Sequence, residues 1–198
     1  MERSDQSLLL AFITGSEESF EHFVIKHQTE LFQCALYITE HPDMAEEAVL
    51  QTFFKVYEDA DRIIGLDSIR VELFKSLLAN IAKGESKEEG FITYKQQMNS
   101  IFDALPEVVV YQEFLEAVFK LPVSYRKVFL LRDTFGFSSD EVQEILGISR
   151  SNLRRMIYRA RLMMRRTLLL LGKSEEKEEN EEFVIDPIEI DNSLRVLN

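Results

Sequence analysis

The chain has 198 residues, 45% of them hydrophobic and 29% charged, and a formal net charge of −12. That length and apolar content exclude a disordered polyelectrolyte and leave room for one or two domains, each with a core. A single cysteine, Cys34, excludes an intramolecular disulfide, and no apolar run reaches the ~20 residues of a membrane span. The residue set is dominated by good helix formers, with only 4 prolines and 7 glycines, so the expected fold class is all-α. A reducing cytoplasm is the expected compartment, with no membrane partner. The start, MERSDQSLLLAFITGSEE, has a short apolar patch without a basic opening or a cleavage site, so no signal peptide is expected.

In chain order, Ser16 before Glu17 and Glu18 marks a helix start, with acids at the positive end of the helix dipole. Phe20, Phe23, Val24, His27, Leu31, Cys34 and Ile38 then recur at helical spacing. His41-Pro42-Asp43 breaks that helix, and Pro42 suits the first turn of the next. The second helix places Ala45, Val49, Phe53, Val56 and Ala60 on one face. A loop spans Gly65 to Ser68. The third helix is predicted over Ile69 to Ala82, with Leu73, Leu77 and Ile81 inward. KGESKEEG, residues 83–90, is a polar break, and the boundary between modules falls within a linker at 84–108. The division is then 1–83, 84–108, 109–171 and a tail, 172–198, whose opening charge run predicts disorder.

Helical patterning resumes at Tyr111, Phe114, Leu115, Val118 and Phe119 and stops at Leu121-Pro122; a further helix is predicted from there through Arg132. After the Phe135-Gly136-Phe137 turn, SSDE at 138–141 is a capping box: Ser138 accepts from the Glu141 N–H while Glu141 reaches back. That helix carries Val142, Ile145 and Leu146 inward and closes at Gly147, a residue suited to the left-handed position. Ser149 caps the next. Two helices joined by a glycine turn make a helix-turn-helix pattern.

The charge is unevenly divided: −12 over residues 1–120, +6 over 121–171 and −6 over 172–198. Seven arginines lie between Arg150 and Arg166. On the helix after Ser149, Leu153, Ile157, Ala160 and Met164 form an apolar stripe. It is flanked by Arg150, Arg154, Arg161 and Arg165 on one side and by Arg155, Arg159 and Arg166 on the other. Guanidinium forks fit phosphate oxygens and guanine edges, and the first turns of such a helix reach bases in the major groove. The charge division bears on the tail as well: the favoured reading is a disordered solubilising segment, and the sharper alternative is that its acidic run folds back on the arginines as a phosphate mimic.

The segment LPVSYRKVFLLRDTFGFSSDEVQEILGISRSNLRRMIYRAR, 121–161, resembles the C-terminal DNA-binding domain of extracytoplasmic-function (ECF) sigma factors of bacterial RNA polymerase. FEHFVIKHQTELFQCALYITEHPDMAEEAVLQTFFKVYEDADRI, 20–63, is similar to that family's N-terminal domain. The resemblance implies two small helical domains and promoter-specific initiation. Its partners would be core polymerase, held through the β′ coiled coil by Glu46, Glu47, Gln51 and Lys55, and double-stranded promoter DNA. Arg150, Ser151, Asn152, Arg154 and Arg155 would lie nearest the bases, with Arg126, Arg159 and Arg161 on phosphates and Tyr158 also in the DNA-binding set. An anti-sigma partner is expected from the resemblance alone. The sequence departs from the family after residue 70, where Glu72 stands at the usual Trp position and few cations follow. Two other readings therefore stay open: a sigma-like decoy for polymerase or an anti-sigma factor, and a plain helix-turn-helix regulator.

Gly172-Lys173-Ser174 lacks the glycine and the preceding strand of a phosphate-binding loop. His27, Cys34 and His41 share a spacing of seven, but Pro42 ends the helix before His41 and the first two lie in an apolar pattern, so core packing is favoured over metal binding. No catalytic constellation appears, and neither an enzyme nor a cofactor is expected.

Overall fold

The computed structural model describes residues 4–84 and 112–181, the side chains of the second stretch from Phe114 to Leu171. Every regular element among them is helical: α1 Asp5–Ile13, α2 Glu17–Thr39, α3 Pro42–Glu58, α4 Ala60–Ile63, α5 Ile69–Lys83, α6 Gln112–Phe119, α7 Val123–Phe129 continued by a π-helical turn Leu130–Thr134, α8 Ser139–Leu146 and α9 Arg150–Glu181. Most of the predicted linker, 85–108, and residues 182–198 of the predicted tail lie outside the described residues.

Helix α1 was legible in the sequence only as an apolar patch. Ser4 caps it by accepting from the Ser7 N–H at 3.2 Å, and Leu8 and Leu9 are buried. Ser16 occupies the cap position of α2, although its hydroxyl meets the Ser19 hydroxyl at 2.8 Å instead of a backbone N–H. Pro42 opens α3 as predicted. The N-terminal core forms where α2, α3 and α5 meet, around Phe23, Leu31, Phe53, Phe74 and Leu77, all at 0% exposure. His27 and Cys34 are buried in it and His41 is exposed, so the packing reading of these residues holds. The groups of three or more metal-ligating side chains that would suggest an ion are absent among the described residues.

The second domain packs α6, α7 and α8 against the first half of α9, burying Val118, Leu130, Leu131, Val142, Leu153, Ala160 and Met164. The two domains share one hydrophobic core. Phe74 of α5 meets Phe135 and Phe137 of the turn before α8, with ring centroids 5.4 and 4.7 Å apart. Each domain also lends the other an arginine. Arg70 of α5 lies 4.0 Å over the Phe137 ring, pairs with Glu30 of α2 and donates to the Phe135 carbonyl at 2.7 Å. Arg126 of α7 is 3% exposed and donates to the Tyr37 and Ile38 carbonyls and to the Glu40 carboxylate at 3.2, 3.4 and 2.6 Å. Helix α2 has no basic residue in its last turn, so Arg126 supplies from the other domain the charge that its carbonyl end attracts.

Helix α9 continues to Glu181, ten residues beyond the predicted boundary at Leu171. The predicted disorder of the tail is thus replaced, over 172–181, by a continuation of the same helix. These turns lead away from the arginines along the axis, so they do not fold back.

Candidate nucleic-acid interface

The helix-turn-helix is built as its sequence dictates. The Ser138 hydroxyl accepts from the Glu141 N–H at 3.2 Å, and Glu141 accepts from the Ser138 N–H at 2.7 Å. That backbone hydrogen bond, then the hydroxyl contact, holds the Glu141 carboxyl below its ordinary range. Gly147 closes α8 at φ 64°, the left-handed region, where a side chain would be strained. Its N–H reaches the Gln143 carbonyl. Ser149 then caps α9, its hydroxyl accepting from the Asn152 N–H at 3.4 Å.

With Leu153, Ala160 and Met164 buried, the remaining turns of α9 face outward. Arg150, Ser151, Arg154, Arg155, Arg159 and Arg161 are exposed, Asn152 is half-buried, and Tyr158 is 70% exposed. The predicted set is therefore brought together on one helix, except for Arg126. Several members are oriented by neighbours. Arg155 donates to the Asn152 amide oxygen, and Arg159 reaches the Tyr125 hydroxyl at 3.4 Å. Arg161 grips Asp133 with two bonds of 2.9 and 2.6 Å, which raises its pKa still further. That fork ties α9 to the turn after α7 and leaves less of Arg161 for a phosphate. Arg126 requires a correction: buried between the domains, its two terminal nitrogens held by four carbonyls and the Glu40 carboxylate and its Nε buried without an acceptor, it holds the fold together and stands off the exposed arginine face.

The predicted polymerase face on α3 is also partly turned inward. Glu46 and Glu47 are half-buried. Gln51 is 9% exposed and donates to the Glu47 carboxylate at 3.2 Å and the Gly84 carbonyl at 3.4 Å. Lys55 points at α5, reaching Ser76 at 3.0 Å and Glu72 at 3.4 Å. Glu72 also accepts from Arg62 at 3.3 Å. Below these, Asn80 donates to the Thr52 hydroxyl at 3.2 Å. Sequence spacing could not assign Gln51 and Lys55 to the α3–α5 seam, because the crossing of two helices from different segments decides which polar residues fall there.

A capped helix-turn-helix with an exposed arginine face thus packs on an acidic N-terminal domain of five helices, α1 to α5. Residues 111–164 match the family described as sigma-70, region 4. The chain is 26% identical over 176 residues to RNA polymerase sigma factor YlaC of Bacillus subtilis (strain 168), covering 81% of this chain and 96% of that protein. Two solved structures share the fold. One is CnrH in complex with the cytosolic domain of CnrY, with TM-score 0.59, 20% identity and coverage of 83% of this chain and 96% of that one. The other is the sigma factor RpoE in complex with the anti-sigma factor NepR from Bartonella quintana, with TM-score 0.58, 19% identity and coverage of 76% and 97%. The chain is thus similar to a sigma factor over most of its length, with the region 4 match confined to residues 111–164.

Proposed function

We infer that the protein is an ECF-type sigma factor that binds core RNA polymerase and directs it to specific promoters from the cytoplasm. The observation that carries this reading is the capped helix-turn-helix with Arg150, Arg154, Arg155 and Tyr158 exposed on α9, joined to a sigma-like N-terminal domain. In this reading Arg150, Ser151, Asn152, Arg154, Arg155 and Tyr158 face base edges of the duplex major groove, and Arg159 and Arg161 face phosphates. Glu46 and Glu47, the more outward members of the α3 set, meet the polymerase. Gln51 and Lys55 act indirectly, by holding α3 against α5. The protein acts by positioning DNA and polymerase, with no cofactor and no chemistry of its own. An anti-sigma factor is a further partner, as it is for the RpoE structure that shares the fold.

Reconstitution with core polymerase tests the reading: promoter-dependent transcripts should appear, and Arg154→Ala should lower them without unfolding the chain. Polymerase binding without transcripts would leave a decoy for polymerase. That second reading draws support from Glu72, which occupies Lys55 and Arg62 where cations could otherwise meet a melted strand.

A further inference from the structure

The two domains meet on one side of the helix-turn-helix and leave its other side open. Helix α2 packs on α6 and α7, while α5 packs on α8 and on the turn before it. Helix α9 packs in turn on α6, α7 and α8, so α8 stands between α5 and the arginine helix. With both domains in place, Arg150, Ser151, Arg154, Arg155 and Arg159 remain exposed, and Tyr158 is 70% exposed.

The charges at the seam are consumed within it. Glu30 pairs with Arg70 and Glu40 with Arg126, so these α2 carboxylates already hold cations. Among the described residues, the carboxylate that pairs with an arginine of α9 is Asp133, from the same domain, and it takes Arg161. An acidic domain that masked the recognition helix as a phosphate mimic would set carboxylates on Arg150, Arg154 or Arg155. None of the described carboxylates forms an ion pair there. Distance weakens the remaining repulsion. Packed helices lie 8–10 Å apart, so α5 and α9 are separated by two spacings, about 16–20 Å, against a screening length of ~8 Å at physiological salt. A duplex at the outer face of α9 therefore meets guanidinium groups directly and the N-terminal acidity only through screening ions.

We propose that the free chain, with its domains closed on each other, is a site-specific duplex-binding protein in its own right and occupies its DNA site without core polymerase. The proposal rests on the DNA-binding reading of α9. It adds that neither polymerase nor opening of the seam is needed to free the reading surface. The ligand is B-form duplex, read in the major groove from Arg150, Arg154 and Arg155. Arg70 and Arg126 then hold the domains closed without gating access to DNA.

The test is a selection by the full-length chain, without polymerase, from duplexes whose central segment of about 20 base pairs is randomised, in about 150 mM salt. One element should be enriched. Fluorescence anisotropy should show it bound at least about a hundredfold more tightly than a scrambled duplex, with Arg154→Ala weakening it about tenfold. Two variants loosen the seam. Arg70→Ala removes the contacts with Glu30, the Phe137 ring and the Phe135 carbonyl, whereas Glu30→Gln removes only the ion pair. Both should bind the element within about threefold of wild type, since they share no partner with the arginine face. Glu30→Gln carries this arm should Arg70→Ala lose its helical circular dichroism. A chain that enriches nothing at about 10 µM, or a folded seam variant that binds at least about tenfold more tightly than wild type, overturns the proposal. A parallel selection by the chain bound to core polymerase separates the two readings. An element found only with polymerase overturns stand-alone binding and leaves promoter reading intact; no element in either selection overturns both.

Discussion

The α3–α5 face and the outer face of α9 are both helical surfaces rich in charge, and they treat that charge in opposite ways. On the first, charges close on one another: Lys55 and Arg62 converge on Glu72, Gln51 bonds Glu47, and Asn80 bonds Thr52. On the second, arginines stand outward around a buried apolar stripe. A surface that satisfies its own charges has little attraction for a polyanion and suits recognition of another protein by shape. A surface of exposed guanidinium groups gains most of its binding energy from phosphate. Counting charges along the sequence cannot separate the two cases, because pairing is a property of the folded surface.

Arg126 offers the hardest test of this contrast, since it lies in the basic domain yet behaves like the closed face. Five oxygen acceptors, spread over Phe119, Leu121, Tyr37, Ile38 and Glu40, surround its guanidinium. Arg126→Ala strips those buried acceptors of their donor and should cost about 3–5 kcal/mol of stability, read from denaturant unfolding. If the variant instead lost DNA affinity with an unchanged unfolding midpoint, Arg126 would belong with the α9 set.

A second inward pair gives the N-terminal domain a pH signature. Asp5 lies 3.0 Å from both His27 and Lys26. Burial alone would push its carboxyl up, but the hydrogen bond and charge of His27, followed by those of Lys26, outweigh it and bring the pKa to about 2 from 3.8. The folded value is the lower one, so the contribution is complete above pH 3.8 and disappears as pH falls toward 2. Asp5→Asn should cost about 2 kcal/mol at neutral pH, with the gap from wild type closing below pH 4. A gap that stayed constant down to pH 2 would show that the pair contributes through packing alone.

These two cases also show how far the sequence could be read. The helix-turn-helix was legible nearly residue by residue, because its signals are local: the capping box at Ser138–Glu141, the left-handed Gly147 and the Leu153–Met164 stripe all depend on neighbours within a few positions. Helix α1 went unread because nine residues with a mostly apolar composition give no clear period. Arg126 was misplaced for a different reason. Its partners Tyr37, Ile38 and Glu40 are more than 80 positions away, and no local pattern announces a guanidinium that caps a helix of another domain. The continuation of α9 through residues rich in glutamate was masked by composition: a charge run resembles a disordered tail whether or not it follows a well-anchored helix.

The open face should respond in binding and not in folding. Arg154 is exposed in the first turns of α9, and Arg154→Ala should weaken duplex affinity roughly tenfold, a change of about 1.4 kcal/mol, with stability altered by less than about 0.5 kcal/mol. The salt dependence of binding tells which kind of contact was lost. A slope reduced by about one indicates a phosphate, whereas an unchanged slope with relaxed sequence preference indicates a base edge. Arg161→Ala should do less to binding and more to folding, since its fork on Asp133 fixes α9 to the turn that precedes it.

The smallest expected effect is the most direct probe of the closed face. Glu72 has 16% of its side chain exposed and serves two cations that are themselves about half exposed, Lys55 at 43% and Arg62 at 51%. Ion pairs of that exposure are screened by water, so Glu72→Gln should change stability by less than about 1 kcal/mol. It nonetheless leaves Lys55 and Arg62 without their shared carboxylate, raising the local charge by one in a half of the chain that is otherwise acidic. If the face recognises only protein, duplex and single-strand affinities should match those of wild type, and the added Lys55→Ala change should be silent. A gain in single-strand affinity that Lys55→Ala then reverses would show that Glu72 withholds these cations from DNA. The distinction between the two faces would then rest on one carboxylate and not on the architecture of the domain.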